Sequence, residues 1–293
     1  MRFCVAALVV ALVVALAVPA AQAAEPTIAV VAAENFYGDI ARQIGGERVE
    51  VKSIISSPDQ DPHLFETSPG IVRAVTDAQL VIFNGADYDA WIEKLLKASP
   101  RPDRLTMNVA AVAQRKAGDN PHLWYDPAVM RIAARSIATE LSKIDRAHAN
   151  DFAARLAAYE ASLKPIDDKI AAIRAKYAGT PVTASEPVFG YMANALGFKM
   201  RNERLQLAIM NDTEPSARDI AAFEQDLKTR AVRLMVYNKQ AGSKLVQQLV
   251  EVARASKVPV VGVTETMPPD TTFQNWMLQQ LDDTEKALAG AAP

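Results

Sequence analysis

Apolar segments alternate with stretches of helical periodicity along most of this chain. In its first part, short runs rich in β-branched and other apolar residues predict strands at Thr27–Ala32, Val49–Ile55 and Leu80–Asn84. Apolar positions at helical spacing predict helices between and after these strands, at Asn35–Ile44, Ser68–Asp77 and Tyr88–Leu96. Alternation of this kind favours right-handed βαβ units and therefore a mainly parallel sheet.

The same alternation returns after Gly179. Buried strands are predicted at Pro181–Ala184, Val232–Tyr237 and Val258–Val263. Covering helices are predicted at Val188–Leu196, Ser216–Lys228, Ser243–Ser256 and Thr272–Ala287. Residues 128–177 have helical periodicity without a strand candidate, and Pro165 should kink or divide a helix there. We therefore expect an α/β fold of two lobes with mainly parallel sheets, joined by a long helical connector.

The first residues have the pattern of a secretory signal peptide. Met1 and Arg2 precede an apolar run, residues 3–19, and a small-residue stretch offers a cleavage site after Ala23 or Ala24. The domain boundaries that follow are a signal peptide at 1–23, an N-terminal lobe at 24–140, the connector at 141–178 and a C-terminal lobe at 179–293. We expect a soluble periplasmic protein, because Cys4 comes too early in the run to be a lipid-attachment cysteine.

Composition and charge limit the kinds of partner and the kinds of metal ligand that this protein can have. The 293-residue chain has 34 acidic and 32 basic residues and no basic tract, so we expect no nucleic-acid partner. Its single cysteine, Cys4, belongs to the predicted signal peptide. Without thiols the mature protein can form neither disulfides nor thiolate metal sites, which leaves imidazole and carboxylate groups as the main metal ligands.

Two of the three histidines occur in matching frames. His63 lies in Asp-Pro-His-Leu-Phe-Glu and His122 in Asn-Pro-His-Leu-Trp-Tyr-Asp, and the proline ahead of each ring makes a stiff turn. Taken singly, His63 is compatible with an ordinary turn residue and His122 with a core ring. The paired frames favour two ligands of one metal. The third histidine, His148, lies in a polar helical stretch and is interpreted as a solvated residue.

Two glutamates follow predicted strands of the second lobe, at the strand ends where open α/β sheets collect their ligands. Glu186 precedes Pro187 and so occupies a helix N-cap, a position that serine or aspartate would fill better. It is either a cap or a metal ligand. Glu265 is either a ligand or a solvated loop acid. Asp61 and Asp126 are either helix caps or residues that orient a ligating ring.

With these positions in place, the chain resembles the zinc/manganese group of metal-binding solute-binding proteins of bacterial ABC transporters, over essentially its whole mature length. The linked segments that carry the resemblance are Val30–Gly38, Asp61–His63 with Glu66, Asn120–Trp124 with Asp126–Pro127, Glu186 ahead of Phe189–Tyr191, and Thr264–Thr266. Each segment alone is weak evidence. All of them in this order, behind a signal peptide and around a helical connector, are specific.

The resemblance implies a two-lobed protein that binds one divalent metal in the cleft between the lobes and delivers it to a cognate membrane permease. It implies His63 and His122 as imidazole ligands, and it places Glu186 where the family has His or Glu. Glu265 stands where the family usually has Asp. This departure leaves its direct coordination open, because glutamate is one methylene longer. We expect the protein to act as a monomer.

The expected cargo is one divalent ion, Mn²⁺ or Zn²⁺. Two imidazoles and two carboxylates favour a harder, higher-coordinate ion such as Mn²⁺, although the Irving–Williams order makes Zn²⁺ bind more tightly to almost any such set. Residues 113–120 contain no histidine, so the His-rich loop of many zinc-specific family members is absent. We favour Mn²⁺. The alternative function is a secreted metal-dependent hydrolase with Glu66 or Asp126 as general base, but the chain has no H-E-x-x-H motif.

Overall fold

The computed structural model of the protein describes residues 27–59, 65 and 67–290. The predicted signal peptide and most of the first Pro-His frame, residues 61–64 and 66 with Asp61 and His63, lie outside these residues. None of the helices in the described ranges is long and apolar enough to cross a membrane.

The first sheet contains, within the described residues, four parallel strands in the order β2-β1-β3-β4. These strands are β1 (Ile28–Glu34), β2 (Val49–Ile55), β3 (Leu80–Phe83) and β4 (Leu105–Asn108). The accompanying helices are α1 (Asn35–Gly45), α2 (Pro69–Asp77), α3 (Ala90–Ala98), α4 (Val109–Val112) and α5 (Pro127–Ile144). Because all strands run the same way, the loops at their carboxyl ends share one edge of the sheet.

Two consecutive helices form the connector. They are α6 (Ala149–Ser162) and α7 (Lys164–Tyr177). The break falls at Leu163, and Pro165 lies in the first turn of α7, where its missing N–H removes no intrahelical hydrogen bond. The helical connector and its division at Pro165 are as predicted, and no strand interrupts residues 127–177.

The second sheet repeats the plan of the first, with the order β6-β5-β7-β8 and parallel pairing in every strand pair that the described residues form. Its strands are β5 (Pro181–Ala184), β6 (Lys199–Arg201), β7 (Met235–Asn238) and β8 (Val260–Val263). Its helices are α8 (Gly190–Ala195), α9 (Glu203–Met210), α10 (Ala217–Lys228), α11 (Lys244–Ala255) and α12 (Phe273–Gly290). The predicted α/β class with two mainly parallel sheets is confirmed.

One hydrophobic core runs through both sheets and the connector. Its buried members include Val30 and Leu80 of the first sheet, Ile166 of the connector, and Val236 and Trp276 of the second part. Full burial of one such aliphatic side chain contributes about 1.5–3 kcal/mol. Because the core is continuous, separating the lobes would expose apolar surface from both.

Helix α1 also binds the second lobe through polar side chains. The Asn35 amide donates to the Met267 carbonyl oxygen at 2.6 Å and accepts from the Met267 N–H at 3.2 Å. The Asp39 carboxylate accepts a 2.9 Å hydrogen bond from the N–H of Phe273, the first residue of α12. These bonds fix the segment between β8 and α12 against the first lobe.

The loop between β3 and α3 has an unusual backbone. Gly85, Ala86 and Asp87 have φ values of 75°, 52° and 65°, in the left-handed region that costs non-glycine residues about 1–2 kcal/mol each. The buried Asp89 carboxylate holds the loop in this conformation, because it accepts hydrogen bonds from the backbone N–H groups of Asn84 at 2.5 Å and Gly85 at 2.8 Å.

A second buried acid, Glu34, faces Asp89. Glu34 is 1% exposed and lies at the N-cap of α1, but its side chain makes no capping bond. Burial, and secondarily the charge of Asp89 and the hydrogen bond to it, raise the pKa of Glu34 well above its usual range. Burial also raises the pKa of Asp89 to about 6, against the lowering effect of its hydrogen bonds. Glu34 is therefore the group of this pair that stays protonated, beside the Asp89 carboxylate.

This pair predicts a pH effect on stability that Glu34→Gln will weaken. Both folded pKa values exceed the unfolded values of about 4, so the folded state holds extra protons and the free energy of unfolding falls as pH rises from about 4 through about 6. Glutamine keeps the shape and a donor but cannot ionise. We expect Glu34→Gln to make the stability of the protein less dependent on pH than that of the parent.

The measurement is urea unfolding of both proteins at a series of pH values between 4 and 8. Glu50→Gln, which removes an exposed acid from β2, serves as the control for loss of one negative charge. Equal pH slopes in the parent and in Glu34→Gln would contradict the raised pKa of Glu34.

Candidate metal centre

Of the three candidate ligands that the structure describes, His122 lies close to Glu265, and Glu186 and Glu265 both lie next to Asn238. His122 comes from the segment between α4 and α5, Glu186 follows β5, and Glu265 follows β8. Their exposed fractions are 0%, 4% and 1%. The Nε2 atom of His122 lies 4.0 Å from Oε2 of Glu265, so residues of the first and second lobes come together here. The structure does not test His63, which lies outside the described residues.

The His122 ring is oriented by Asn120, two residues earlier. The Asn120 amide donates from Nδ2 to the Pro187 carbonyl oxygen at 2.8 Å, which fixes the orientation of the amide and turns Oδ1 towards the ring. Oδ1 lies 2.6 Å from Nδ1 of His122 and can only accept, so Nδ1 carries the proton in the neutral ring. Nε2 is then the nitrogen with the lone pair, the tautomer that metal coordination at Nε2 requires.

The Pro-His turn is anchored from the first sheet. Asn84, directly after β3, donates from Nδ2 to the Pro121 carbonyl oxygen at 2.8 Å and accepts from the Tyr37 hydroxyl at 2.8 Å. The His122 ring also packs edge-on against Trp124, with ring centroids 5.3 Å apart. Packing and hydrogen bonds therefore fix the imidazole before any ion binds.

Asp126 does not orient the His122 ring. Its carboxylate accepts hydrogen bonds from the N–H groups of Ala128 at 3.0 Å and Val129 at 3.4 Å, and it pairs with Arg115 at 3.1 Å. Asp126 is the N-cap of α5, so the capping interpretation is correct and the ring-orienting interpretation is wrong for this residue. Asn120 has the orienting role instead.

Glu186 occupies the N-cap position that the sequence predicts, ahead of Pro187 and a short 3₁₀ turn. Its side chain accepts no capping hydrogen bond. The backbone geometry of a cap is therefore present without the usual side-chain role. The carboxylate lies instead near Asn238, whose Nδ2 is 3.5 Å from Glu186 Oε2.

Neutral donors from both lobes bind the Glu265 carboxylate. Asn238, at the end of β7, donates to Oε1 at 2.5 Å, and the Tyr88 hydroxyl donates to Oε2 at 2.8 Å. Burial, together with the carboxylates of Glu265 and Glu34, raises the pKa of Tyr88 well above its usual range. The phenol therefore stays protonated, as a donor, at neutral pH.

The backbone around Glu265 is also held in place. The Gln240 side-chain oxygen accepts hydrogen bonds from the N–H groups of Glu265 at 2.7 Å and Thr266 at 2.9 Å. The Tyr125 hydroxyl donates to the Thr264 carbonyl oxygen at 2.8 Å. Sequence reasoning missed the roles of Asn120, Tyr88, Asn238 and Gln240. Of these, Asn238 had a usable signal, because it ends a buried strand as Glu186 and Glu265 nearly do.

A cavity of about 630 Å³ opens beside the two glutamates. Glu186, Asn238 and Glu265 contribute to its wall, together with Asp212 and Glu214 from the loop before α10. Among the described residues, no group of three or more His, Cys, Asp or Glu side chains is close enough together to count as a complete metal cluster. An imidazole nitrogen and two carboxylates are groups that divalent cations bind, but the described residues alone do not bring all three together around one point.

Similar proteins include two metal-binding components from bacteria. The manganese-binding lipoprotein MntA of Bacillus subtilis is 26% identical over 246 residues, which cover 80% of this chain and 78% of that protein. The zinc-binding protein TroA of Treponema pallidum is 28% identical over 219 residues, covering 69% and 68% respectively.

Solved structures show the same fold. The periplasmic zinc-binding protein TroA of Treponema pallidum superposes with a TM-score of 0.76 at 20% identity and covers 91% of this chain and 100% of its own. The manganese complex of the solute-binding protein FpvC of Pseudomonas aeruginosa gives a TM-score of 0.74 at 19% identity, with 92% and 100% covered.

A family model agrees with the resemblance found in the sequence. It describes the periplasmic component A of a zinc-uptake complex and matches residues 30–287, which include both sheets, the connector and all three described candidate ligands. The chain therefore belongs to the family of periplasmic zinc-uptake component A proteins.

Proposed function

We propose that this protein captures one divalent transition metal ion in the cleft between its lobes and delivers it to a cognate ABC permease. The observation that carries the proposal is the meeting of buried His122 and Glu265 from different lobes, 4.0 Å apart, beside Glu186. Membership of a family of periplasmic metal-uptake components supports the transport role. The hydrolase alternative has no support from that family.

The proposed ligands are His63, His122, Glu186 and Glu265. Support for His122 comes from its fixed tautomer, and support for the glutamates comes from their burial beside a shared amide donor. His63 is proposed from its Pro-His frame alone. For Glu265, two hydrogen bonds restrain the extra methylene and point the carboxylate towards Nε2 of His122, which favours direct coordination.

The proposed cargo is Mn²⁺ in preference to Zn²⁺. Two carboxylates supply oxygen ligands that suit a harder ion of higher coordination number. The similar proteins do not separate the two metals, since one is named as manganese-binding and another as zinc-binding. Calorimetric titration of the metal-free protein with each ion, with a competing chelator for Zn²⁺, tests the preference.

We further propose that the protein works outside the cytoplasm as a monomer, without nucleic acid and without catalytic activity of its own. Its family consists of periplasmic transport components, which supports this location. The soluble form and the processing site near Ala23 stay predictions, because similar proteins such as MntA are named as lipoproteins. Mass spectrometry of the mature exported chain would show both the N-terminus and any lipid.

Metal should stabilise the protein, and His122→Ala should abolish this effect. Binding to the folded state alone adds about 4 kcal/mol at a thousandfold excess of ion over the dissociation constant, so we expect a rise of several degrees in melting temperature. Removing His122 deletes one proposed ligand. Thermal unfolding followed with and without Mn²⁺ or Zn²⁺ measures the shift.

His148→Ala is the matched control, because it removes the other described histidine, which is half-buried and hydrogen-bonded to Asp145 rather than solvated as the sequence suggested. We expect the control to keep the full metal-induced shift. No shift in the parent with either ion would overturn the proposed function, and an equal shift in His122→Ala would remove His122 from the ligand set.

Metal affinity should fall as the solution becomes acidic. Imidazole ligands bind metal only in the neutral form, so protons compete with the ion as pH drops from about 7 to about 5.5. Affinity measured by calorimetry across this range should weaken by at least about tenfold. A constant affinity would argue against imidazole coordination.

A further inference from the structure

The phenol of Tyr88 lies between the two lobes, next to the proposed ligands. Its ring packs against Trp124, with centroids 5.0 Å apart, and faces the edge of His122 at 6.2 Å. Its hydroxyl donates to Glu265 Oε2 at 2.8 Å. A side chain from the first lobe thus contacts a carboxylate of the second lobe directly.

The loop that presents Tyr88 is held in a costly conformation. Ala86 and Asp87, just before it, both have positive φ, and such backbone persists only where the surrounding structure enforces it. Here Asp89 enforces it through two backbone hydrogen bonds, with Glu34 behind it. Tyr88 is therefore fixed from its own lobe, independently of Glu265.

Glu265 is held from two sides at once. Tyr88 donates to Oε2, Asn238 donates to Oε1, and rotation of the carboxylate would break at least one of these bonds. Each carboxylate oxygen has two lone pairs, so a hydrogen bond leaves another lone pair for an ion. The pair of donors consequently sets the angle at which the carboxylate meets a metal without blocking coordination.

We propose that Tyr88 is a positioning residue that fixes the orientation of Glu265 and thereby favours Mn²⁺ over Zn²⁺ at this site. The inference rests on the proposed function. Orientation decides whether one carboxylate oxygen or both face the ion. Zn²⁺ is satisfied by four ligands and tolerates a single oxygen, whereas an oxygen-rich Mn²⁺ site collects more ligands and depends on both.

The test is Tyr88→Phe, which removes the hydroxyl and keeps the ring. Tyr159→Phe is the matched control: it removes the hydroxyl of a tyrosine of α6 that is also buried and has Asp39 and Arg131 as its electrostatic neighbours. Both variants and the parent, all metal-free, are titrated with Mn²⁺ and with Zn²⁺. In Tyr88→Phe we expect about tenfold weaker Mn²⁺ binding, because a hydrogen bond to a charged group is lost and the carboxylate orientation is no longer fixed. We expect less than about threefold weaker Zn²⁺ binding, because Zn²⁺ tolerates a single carboxylate oxygen. Tyr159→Phe should change neither affinity.

A spectroscopic readout separates positioning from a general loss of packing. The electron paramagnetic resonance spectrum of bound Mn²⁺ reports the symmetry of its ligands, and we expect it to change in Tyr88→Phe and not in Tyr159→Phe. Equal weakening of the binding of both metals, or unchanged affinities with an unchanged spectrum, would overturn the inference.

If Tyr88→Phe does not fold, Asn238→Ala releases the other oxygen of the same carboxylate and must show the same selective loss of Mn²⁺ binding. Failure of the parent to bind either metal contradicts the proposed function itself, and the inference falls with it.

Discussion

The burial of two carboxylates close together is the constraint on which the rest of the centre depends. Glu186 and Glu265 are almost fully buried, and a buried carboxylate is costly unless donors surround it. Around Glu265 the structure supplies two neutral donors, the amide of Asn238 and the hydroxyl of Tyr88, and the same amide lies 3.5 Å from Glu186. Neutral donors stabilise negative charge without cancelling it, so the attraction for a cation is preserved.

Because these two donors come from different lobes, the site also requires the two lobes to keep a fixed relative position. The shared core and the bonds from α1 to the segment after β8 provide that relation. Asn35 and Asp39 act on the same stretch of chain that carries Glu265. The side chains proposed as metal ligands are therefore positioned by contacts that exist without an ion, which would reduce the ordering that binding requires.

The features of the fold and of the candidate site that follow from local sequence patterns could be predicted from sequence. Strand ends located Glu186 and Glu265, proline geometry singled out His122, and Pro165 marked the helix division. Strands β4 and β6, at four and three residues, are too short to show a pattern and exist through pairing with their neighbours. The roles of Asn120 and Tyr88 depend on partners 67 and 177 residues away in the sequence, so no local pattern predicts them. The role of Asp126 was ambiguous, because a helix-capping acid and a ring-orienting acid have the same local sequence pattern.

The bonds between α1 and the segment ahead of α12 also bear on how the molecule folds. Asn35 and Met267 are 232 positions apart, and contacts of such separation close large loops and slow folding. The chain next to Glu265 can dock only after nearly the whole sequence is available. Metal capture is thereby tied to completion of the fold, because a molecule whose C-terminal segment has not yet docked lacks the ordered carboxylate that should meet His122.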